Sequence, residues 1–376
     1  MALASCTAAP LEGPLAVQTV PRTPVAMDDA GLLFWSQATR TDRFRHLEDF
    51  YPGLEVAAAP RVRALPRGAP LDAATVAKIE PLLETINVAG IMVLQDGKVR
   101  YERYRLGLEP EQRWTSFSVA KSFTSTLLGA AVKDGALSLS DPVTKHLPGL
   151  AGTAYDGVTV GQVATMTSGV KWNEDYTDPK SDVAQMLTVA PVAGEPQSVT
   201  YARTLVREAP AGGKWVYKTL ETNLLGDIVA AATGRSLADY AKEKIVDPAG
   251  FAGGLFWMTD LTGRNIGGCC LSVRLSDYAR MGQWVLEDGQ PWVPAEWFAK
   301  ATTKQAEIGV PGYGYGYQWW THPTGFGAQG IFGQYITILP KQRLVIAVVS
   351  SHPTATGKVL TEARTALWRA VAEGAQ

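Results

Sequence analysis

Apolar and polar positions along the chain predict an antiparallel sheet built from both ends, with helices in between. "GIMVLQDGKVRYERYRLG", residues 90–107, is typical of two strands joined by a tight hairpin turn at Asp96-Gly97. The predicted strands cover residues 90–107 as this hairpin, then 312–320, 331–340 and 343–351. The predicted helices cover residues 75–88, about 118–132, 272–289 and 358–374.

This order of elements favours an α+β fold, in which helices flank an antiparallel sheet and a mostly helical region is inserted into it. We expect residues 1–65 to form an N-terminal arm and a wrapping extension, since residues 1 to about 30 are rich in Ala, Pro and Thr. Residues 66–376 then form the main domain, with the helical insertion at approximately 118–300.

Candidate chemistry is concentrated in "WTSFSVAKSFTSTLL", residues 114–128, where Lys121 interrupts an apolar and hydroxylic run. A buried lysine is costly unless it loses its proton or finds a partner. Ser118 lies one helical turn earlier on the same face, so a lysine of lowered pKa would activate it as a nucleophile. The N–H of Ser118, near the helix N-terminus, would be free to donate to an oxyanion. The alternative is a surface lysine beside an incidental serine.

Other motifs carry less weight. Ser168 and Lys171 repeat the S-x-x-K spacing, but Gly169 and the polar residues that follow indicate a turn, which would not hold both side chains on one face. "GFGAQG", residues 325–330, matches G-x-G-x-x-G without the helix that a dinucleotide site requires. No G-x-S-x-G elbow occurs, which argues against an α/β-hydrolase.

Composition excludes several classes of protein. With 35 basic and 36 acidic residues the net charge is −1, so the chain lacks the excess of basic residues that is typical of nucleic-acid-binding proteins. No apolar run is long enough for a transmembrane segment. "LASC", ending at Cys6, resembles the end of a bacterial lipoprotein signal without its apolar region. A genuine remnant would place the protein outside the cell on a membrane anchor, and a chance match would leave it in the bacterial cytoplasm.

Cysteine and histidine positions imply neither a disulfide framework nor a metal site. Cys269 and Cys270 are neighbours, which rarely pair, and Cys6 lies in the arm. We therefore expect no disulfide. The histidines lack metal-ligand spacing, so no metal and no cofactor are expected; they are His46, His146, His322 and His352.

Six segments together resemble the serine β-lactamase and penicillin-binding-protein superfamily, over roughly residues 32 to 376. Within it, the chain most resembles the branch of 6-aminohexanoate-dimer hydrolases and carboxylesterases with a β-lactamase fold. The segments, in the family's order, are "SFSVAKSFTSTLLGAAV", "VATMTSGVKWNEDYTDP", "GGKWVYKTLETNLLGDIV", "GGCCLSVRLSDYARMG", "YGYGYQWW" and "GIFGQYITILP". The resemblance implies a β-lactamase-like fold and an acyl-enzyme on Ser118.

The resemblance also implies roles for further residues. Tyr217, in "WVYKTL", matches the tyrosine that moves protons with Lys121, either as a tyrosinate or as a tyrosine sharing a proton with neutral lysine. Thr219 stands where the family usually has Asn or Ser, which retains a hydroxyl but not an amide for substrate binding. Tyr176, in "WNEDYTDP", matches a loop tyrosine that lines the pocket; an ordinary loop aromatic is the alternative.

The third motif of β-lactamases, Lys-Thr-Gly, corresponds here to Ala328-Gln329-Gly330, and Ile331 would supply the second oxyanion N–H. The missing cation argues against penicillins and cephalosporins as main substrates. The aromatics Trp319, Trp320 and Phe332 either line the pocket mouth or pack within strands.

The sequence therefore predicts a serine hydrolase of small esters or amides, such as linear aminohexanoate oligomers. The partner is a small-molecule substrate, and a homodimer is compatible with the sequence. Two alternatives remain open. One is a β-lactamase or D-alanyl-D-alanine carboxypeptidase, and the other is a non-catalytic binding protein with the same fold.

Overall fold

Strands from both ends of the chain form the larger of two antiparallel sheets in the computed structural model, which describes residues 17–20 and 31–375. The α+β prediction is confirmed, although the pattern of the chain predicts one sheet and the structure has two. The strands are β1 (Val17–Val20), β2 (Gly53–Val56), β3 (Val88–Gln95), β4 (Lys98–Tyr104), β5 (Arg113–Thr115), β6 (Leu255–Met258), β7 (Leu271–Arg274), β8 (Ala306–Glu307), β9 (Gly314–Tyr315), β10 (Trp320–His322), β11 (Gly325–Gly330), β12 (Gln334–Leu339) and β13 (Leu344–Ser350).

The larger sheet has the order β4-β3-β13-β12-β11-β10-β9-β8, so the predicted hairpin pairs directly with the last strand. Asp96 and Gly97 have φ values of 51° and 73°, the left-handed backbone of a two-residue hairpin turn. The smaller sheet has the order β1-β2-β6-β7-β5. Two of its strands, β6 and β7, lie inside the region predicted to be mostly helical.

Helices cover both faces of the larger sheet. Successive side chains of β13 point to opposite faces, and each packs against a helix. Ile346 packs with Ile79 and Leu367 on one face, while Val345 packs on the other face, against the helix that contains Gly282. The helices are α1 (Gln37–Arg43), α2 (Ala73–Thr85), α3 (Ala120–Lys133), α4 (Val143–His146), α5 (Val160–Ala164), α6 (Asp182–Gln185), α7 (Gln197–Ala202), α8 (Thr219–Thr233), α9 (Leu237–Ala241), α10 (Asp247–Ala249), α11 (Leu275–Leu286), α12 (Trp297–Ala301) and α13 (Lys358–Gly374), with a π-helix at Lys242–Val246.

Helix α3 is almost entirely buried, and this explains its hydroxyl-rich sequence. Ser122, Thr124 and Ser125 donate hydrogen bonds of 2.8, 2.7 and 2.6 Å to backbone carbonyls of surrounding loops. A loop carbonyl buried against a helix must find a donor, and these hydroxyls supply it. The helix ends as predicted, with Gly135 in the left-handed conformation at φ 72°.

Three predicted boundaries are wrong. The helix predicted over residues 272–289 begins at Leu275, because the residues before it pair as β7 with β5 and β6. The strand predicted over residues 331–340 begins at Gln334, after a 3-10 turn in which Phe332 has φ 59°. Residues 312–320 contain the whole of the two-residue strand β9 and the first residue of β10, separated by a turn at Gln318 with φ 62°.

The expectation of no disulfide is also wrong, because the structure joins the sulfurs of Cys269 and Cys270. Cys270 has a left-handed backbone with φ 72°, so the two side chains do not point to opposite sides as they would in a strand. Cys6 and the "LASC" match lie outside the described residues.

Two parts of the N-terminal segment contact the rest of the protein. Within it, Val17–Val20 pair with Gly53–Val56 at the edge of the smaller sheet. Trp35 and Phe44 belong to the same hydrophobic core as Phe117. Over the part of the chain that the structure describes, no helix has the length and apolar character needed to cross a membrane.

Candidate active site

Ser118 lies where the two sheets and the central helix meet. It occupies a 3-10 turn, Phe117–Val119, that leads directly into α3, so its N–H belongs to a helical first turn without an intrahelical acceptor. Phe117 has a positive φ of 43°, and its ring packs edge-on against Phe332 at 5.2 Å and Phe44 at 5.0 Å. This aromatic packing holds the turn in its unusual backbone conformation.

Strand β11 approaches the serine closely at its last residue. A Cβ on Gly330 would lie 2.6 Å from the carbonyl oxygen of Ser116 and 3.0 Å from the backbone nitrogen of Ser118. Only glycine allows this approach. The backbone that follows, at Ile331, is thereby brought to the same wall of the cavity as Ser118.

Lys121 lies beneath the serine with 1% of its surface exposed. Its Nζ donates to Ser118 Oγ at 3.2 Å, to Thr219 Oγ1 at 3.0 Å and to the Gly268 carbonyl at 2.7 Å. Burial lowers the pKa of Lys121 to about 7, against a smaller opposing effect of the negative Glu174. The lysine of the "SVAKS" motif is therefore buried and poised to exchange a proton near neutral pH.

Glu174 connects this lysine to the loop that carries Tyr176. Its carboxylate accepts hydrogen bonds from the Thr219 N–H at 3.0 Å and the Tyr176 hydroxyl at 2.9 Å, and it also contacts Trp172 Nε1 and Thr219 Oγ1. The Thr219 hydroxyl consequently bridges Glu174 and Lys121. Both hydrogen bonds of the Thr219 hydroxyl are therefore made to protein side chains and not to a substrate.

Tyr217 lies two residues before α8 and lines the same cavity as Ser118. Its ring stacks on Trp320 with centroids 5.4 Å apart, and Lys121 Nζ lies 5.3 Å from its centroid. Burial raises the pKa of Tyr217 well above its usual value, the negative Glu174 adds to the increase, and a hydrogen bond with Ser118 opposes it. The phenol therefore carries its proton, which favours the shared-proton alternative over a tyrosinate.

These groups surround a cavity of about 370 Å³. The predicted site residues that line it are Ser118, Tyr176, Tyr217, Gly330 and Ile331. Lys121 and Thr219 lie behind the cavity wall. Lys121 is hydrogen-bonded to Ser118, which lines the cavity, and Thr219 is hydrogen-bonded to Lys121. Of the three aromatics considered for the mouth, Trp320 lines the cavity, whereas Trp319 and Phe332 are packed in the core.

Ser168, the serine of the second S-x-x-K spacing, lies in a separate buried hydrogen-bond network. It occupies a bend rather than a helix, and its hydroxyl donates to Glu221, which also forms a buried ion pair of 3.4 Å with Lys218. Lys171 is exposed. The structure does not bring Ser168 and Lys171 together as a nucleophile and a base.

Sequence reasoning missed two parts of the site, the Glu174 carboxylate and the Gly268 carbonyl. Both lie in segments that carry the family resemblance, Glu174 two residues before Tyr176. The sequence does not show that this loop carboxylate bonds to the Thr219 N–H and the Tyr176 hydroxyl. A Cβ on Gly268 would lie 2.8 Å from the side-chain oxygen of Asn223, which accepts the Gly268 N–H at 2.8 Å. The "GGCC" glycine thus allows the carbonyl to face Lys121.

Comparison with known proteins shows which family the chain resembles over most of its length. Residues 76–260 match the family model described as Beta-lactamase. The 6-aminohexanoate-dimer hydrolase of Paenarthrobacter ureafaciens is 30% identical over an alignment of 308 residues, and the match covers 73% of this chain and 75% of that protein.

Solved structures show the same fold. A Bacillus anthracis protein described as a candidate 6-aminohexanoate-dimer hydrolase superposes with a TM-score of 0.80 at 22% identity, covering 93% of this chain and 98% of its own. EstCE1, a hydrolase with promiscuous acyltransferase activity, superposes with a TM-score of 0.63 at 14% identity, covering 79% and 98%. With the match to the Paenarthrobacter protein, these findings show that the chain belongs to the serine β-lactamase and penicillin-binding-protein superfamily, whose members are serine hydrolases of amides and esters.

Proposed function

We propose that the protein hydrolyses an ester or amide bond of a small substrate through an acyl-enzyme on Ser118. The observation that carries this proposal is the hydrogen bond of 3.2 Å between Ser118 Oγ and a fully buried lysine whose pKa is lowered to about 7. Near neutral pH such a lysine is partly deprotonated, and a neutral amine beside a serine hydroxyl is a general base.

The proton moves between three groups. Neutral Lys121 accepts the Ser118 hydroxyl proton as Oγ bonds to the substrate carbonyl carbon and the carbonyl oxygen becomes an oxyanion. Tyr217 gives its phenolic proton to the leaving nitrogen or oxygen as that bond breaks, and Lys121 returns the proton to Tyr217. Water then attacks the acyl-enzyme by the same route in reverse, releasing the acid and restoring the Ser118 hydroxyl.

The oxyanion is held by the backbone N–H groups of Ser118 and Ile331. The first lies in a helical first turn, and the close approach of Gly330 to Ser118 supports the position of the second. Such donors contribute mainly when charge develops on the oxygen, which is the condition for accelerating the reaction.

The substrate class is an ester or a linear amide. The Paenarthrobacter relative is named for an amide of 6-aminohexanoate, and EstCE1 is a hydrolase with acyltransferase activity, so both bond types are candidates. Tyr176 lines the cavity, and we expect it to contact the leaving group. A β-lactam substrate is the second candidate because the matching family model is named Beta-lactamase, although Ala328 supplies no cation.

The test is intact-mass analysis after treatment with a fluorophosphonate probe. We expect wild-type protein and Ser168→Ala to gain one phosphonyl group, and Ser118→Ala to gain none. A panel of p-nitrophenyl esters, the linear 6-aminohexanoate dimer and nitrocefin then identifies the bond that is cleaved. Unlabelled wild-type protein would favour the non-catalytic binding protein, and equal labelling of wild type and Ser118→Ala would show that another residue is the nucleophile.

A further inference from the structure

Arg364 is a cation in the same cavity as Ser118, and no counter-ion for it lies among the residues that the structure describes. It projects from α13 and lines the cavity together with Gly333 and His352. Within residues 31–375, neither an ion pair nor a hydrogen bond is found for its guanidinium. Two buried cations elsewhere are paired with carboxylates: Arg280 with Asp277 at 2.9 Å, and Lys218 with Glu221 at 3.4 Å. A guanidinium partly removed from water without a partner is costly, and an anion offsets that cost.

A second unpartnered polar group faces the same place. His352 is 4% exposed, and its Nε2 is buried with no hydrogen-bond partner in the described part of the chain. Burial, with a contribution from positive Arg364, lowers the pKa of His352 to about 4, so the imidazole is neutral at neutral pH. A neutral imidazole whose Nε2 carries the proton is a hydrogen-bond donor to an anion.

The position of this pair relative to the serine follows from the backbone. The His352 N–H donates to the Phe332 carbonyl at 3.0 Å, and a Cβ on Gly333 would overlap the His352 ring. The pair therefore lies on the sheet side of the cavity, next to the backbone of Ile331. Glu174, the acidic residue lining the cavity, contacts Tyr176 and Thr219 on the helical side, so its carboxylate is already engaged there.

We propose that Arg364, assisted by the neutral imidazole of His352, binds a carboxylate of the substrate, so that the hydrolase selects esters or amides that carry a free carboxylate. This inference rests on the proposed function and refines its substrate class. It supplies, from α13, the cation that is missing at Ala328 on β11. A planar guanidinium suits a carboxylate because it can donate two parallel hydrogen bonds.

The test compares matched pairs of substrates that differ only in the carboxylate. In one pair the carboxylate is on the acyl part: the mono-p-nitrophenyl esters of adipic, pimelic and suberic acid against p-nitrophenyl hexanoate, heptanoate and octanoate. In the other pair it is on the leaving group: 3-acetoxybenzoate against its methyl ester. The measured quantity is the ratio of kcat/KM for the charged substrate to that for the neutral one.

We expect at least one of the two wild-type ratios to favour the carboxylate, and Arg364→Gln to reduce that ratio by about 10- to 100-fold, the range of a charge-assisted hydrogen bond. Arg364→Lys should retain part of the preference. Arg369→Gln, which removes an exposed guanidinium from the same helix, is the matched control and should leave the ratio unchanged.

Two results would overturn the inference while leaving the proposed function intact. One is a wild-type enzyme that hydrolyses the neutral esters with no preference for either carboxylate. The other is an Arg364→Gln variant that loses activity equally on both members of a pair, with a lower melting temperature, which would make Arg364 a structural residue. If wild-type protein hydrolyses no ester and takes up no fluorophosphonate, the proposed function itself fails.

Discussion

The Lys121 Nζ lies 3.2 Å from the Ser118 hydroxyl oxygen, and the two residues share one face of the segment that begins α3. The lysine also donates to the Thr219 hydroxyl and the Gly268 carbonyl, so three different segments hold it in place. None of these three acceptors carries a formal charge. A lysine held only by neutral acceptors loses its proton more easily than one paired with a carboxylate.

Replacement of Lys121 by methionine keeps the length of the side chain and removes the amine. We expect kcat/KM for an activated ester to fall by about 10²- to 10⁴-fold, the usual contribution of a general base. The rate of fluorophosphonate labelling should fall with it. Lys171→Met is the matched control, because Lys171 ends the second S-x-x-K and is exposed. Labelling of Lys121→Met at the wild-type rate would mean that Ser118 needs no lysine.

The activity should depend on pH through the proton of Lys121. Since the neutral amine is the base and its pKa is lowered to about 7, kcat/KM should rise with pH and level off above that value. Negative Glu174 holds the pKa of Lys121 higher than burial alone would. Glu174→Gln should therefore move the rise to lower pH, whatever it does to the maximal rate.

Asp175→Asn is the control for that shift, since Asp175 is the next residue in the same loop but is exposed and contacts Thr177. The measurement is a pH profile of kcat/KM for each variant on one ester. An unchanged midpoint in Glu174→Gln, with Asp175→Asn behaving like wild type, would show that the titrating group is not Lys121.

Tyr217→Phe removes the phenolic hydroxyl and keeps the ring that stacks on Trp320. We expect the melting temperature to change little and kcat to fall by about 10²- to 10⁴-fold, because the leaving group loses its proton donor. The loss should be smaller for a p-nitrophenyl ester, whose leaving group departs without protonation, than for an amide. An equal loss on both substrates, measured side by side, would assign Tyr217 a role other than proton delivery.

The sequence predicted the parts of the site that are local along the chain. Ser118 and Lys121 are three residues apart, and the buried character of α3 could be read from its apolar and hydroxylic residues. Tyr217 was placed only by resemblance to a family, because its distance from Ser118 in the sequence hides its proximity in space. Glu174 and Arg364 were not predicted at all. Their importance depends on burial and on the presence or absence of a partner, which are tertiary properties.

The same division holds for the fold. The hairpin at Asp96-Gly97 and the terminal helix α13 were predicted because turn chemistry and periodicity are local. Strands β6 and β7 were missed inside a region expected to be helical, since each is only four residues long and gains its stability from pairing with distant segments. The 3-10 turn at Phe332 was predicted as a strand because its apolar residues suit either structure.

Glu221 should contribute to stability rather than to catalysis. It is fully buried, forms an ion pair with buried Lys218 at 3.4 Å and accepts a hydrogen bond from the Ser168 hydroxyl. Glu221→Ala leaves the lysine buried without a counter-charge, so we expect a loss of about 3–5 kcal/mol in the free energy of unfolding.

Urea denaturation of wild type and variant measures this loss, with Glu208→Ala as the control. Glu208 pairs with Lys214 at 2.8 Å on the surface, where such a pair contributes about 0–1 kcal/mol. Both are pairs of one lysine with one glutamate, and one is buried whereas the other is exposed, so the comparison contrasts the loss of a buried counter-charge with the loss of an exposed one. A loss in Glu221→Ala no larger than that in Glu208→Ala would show that water or a rearranged neighbour reaches Lys218 when the carboxylate is removed.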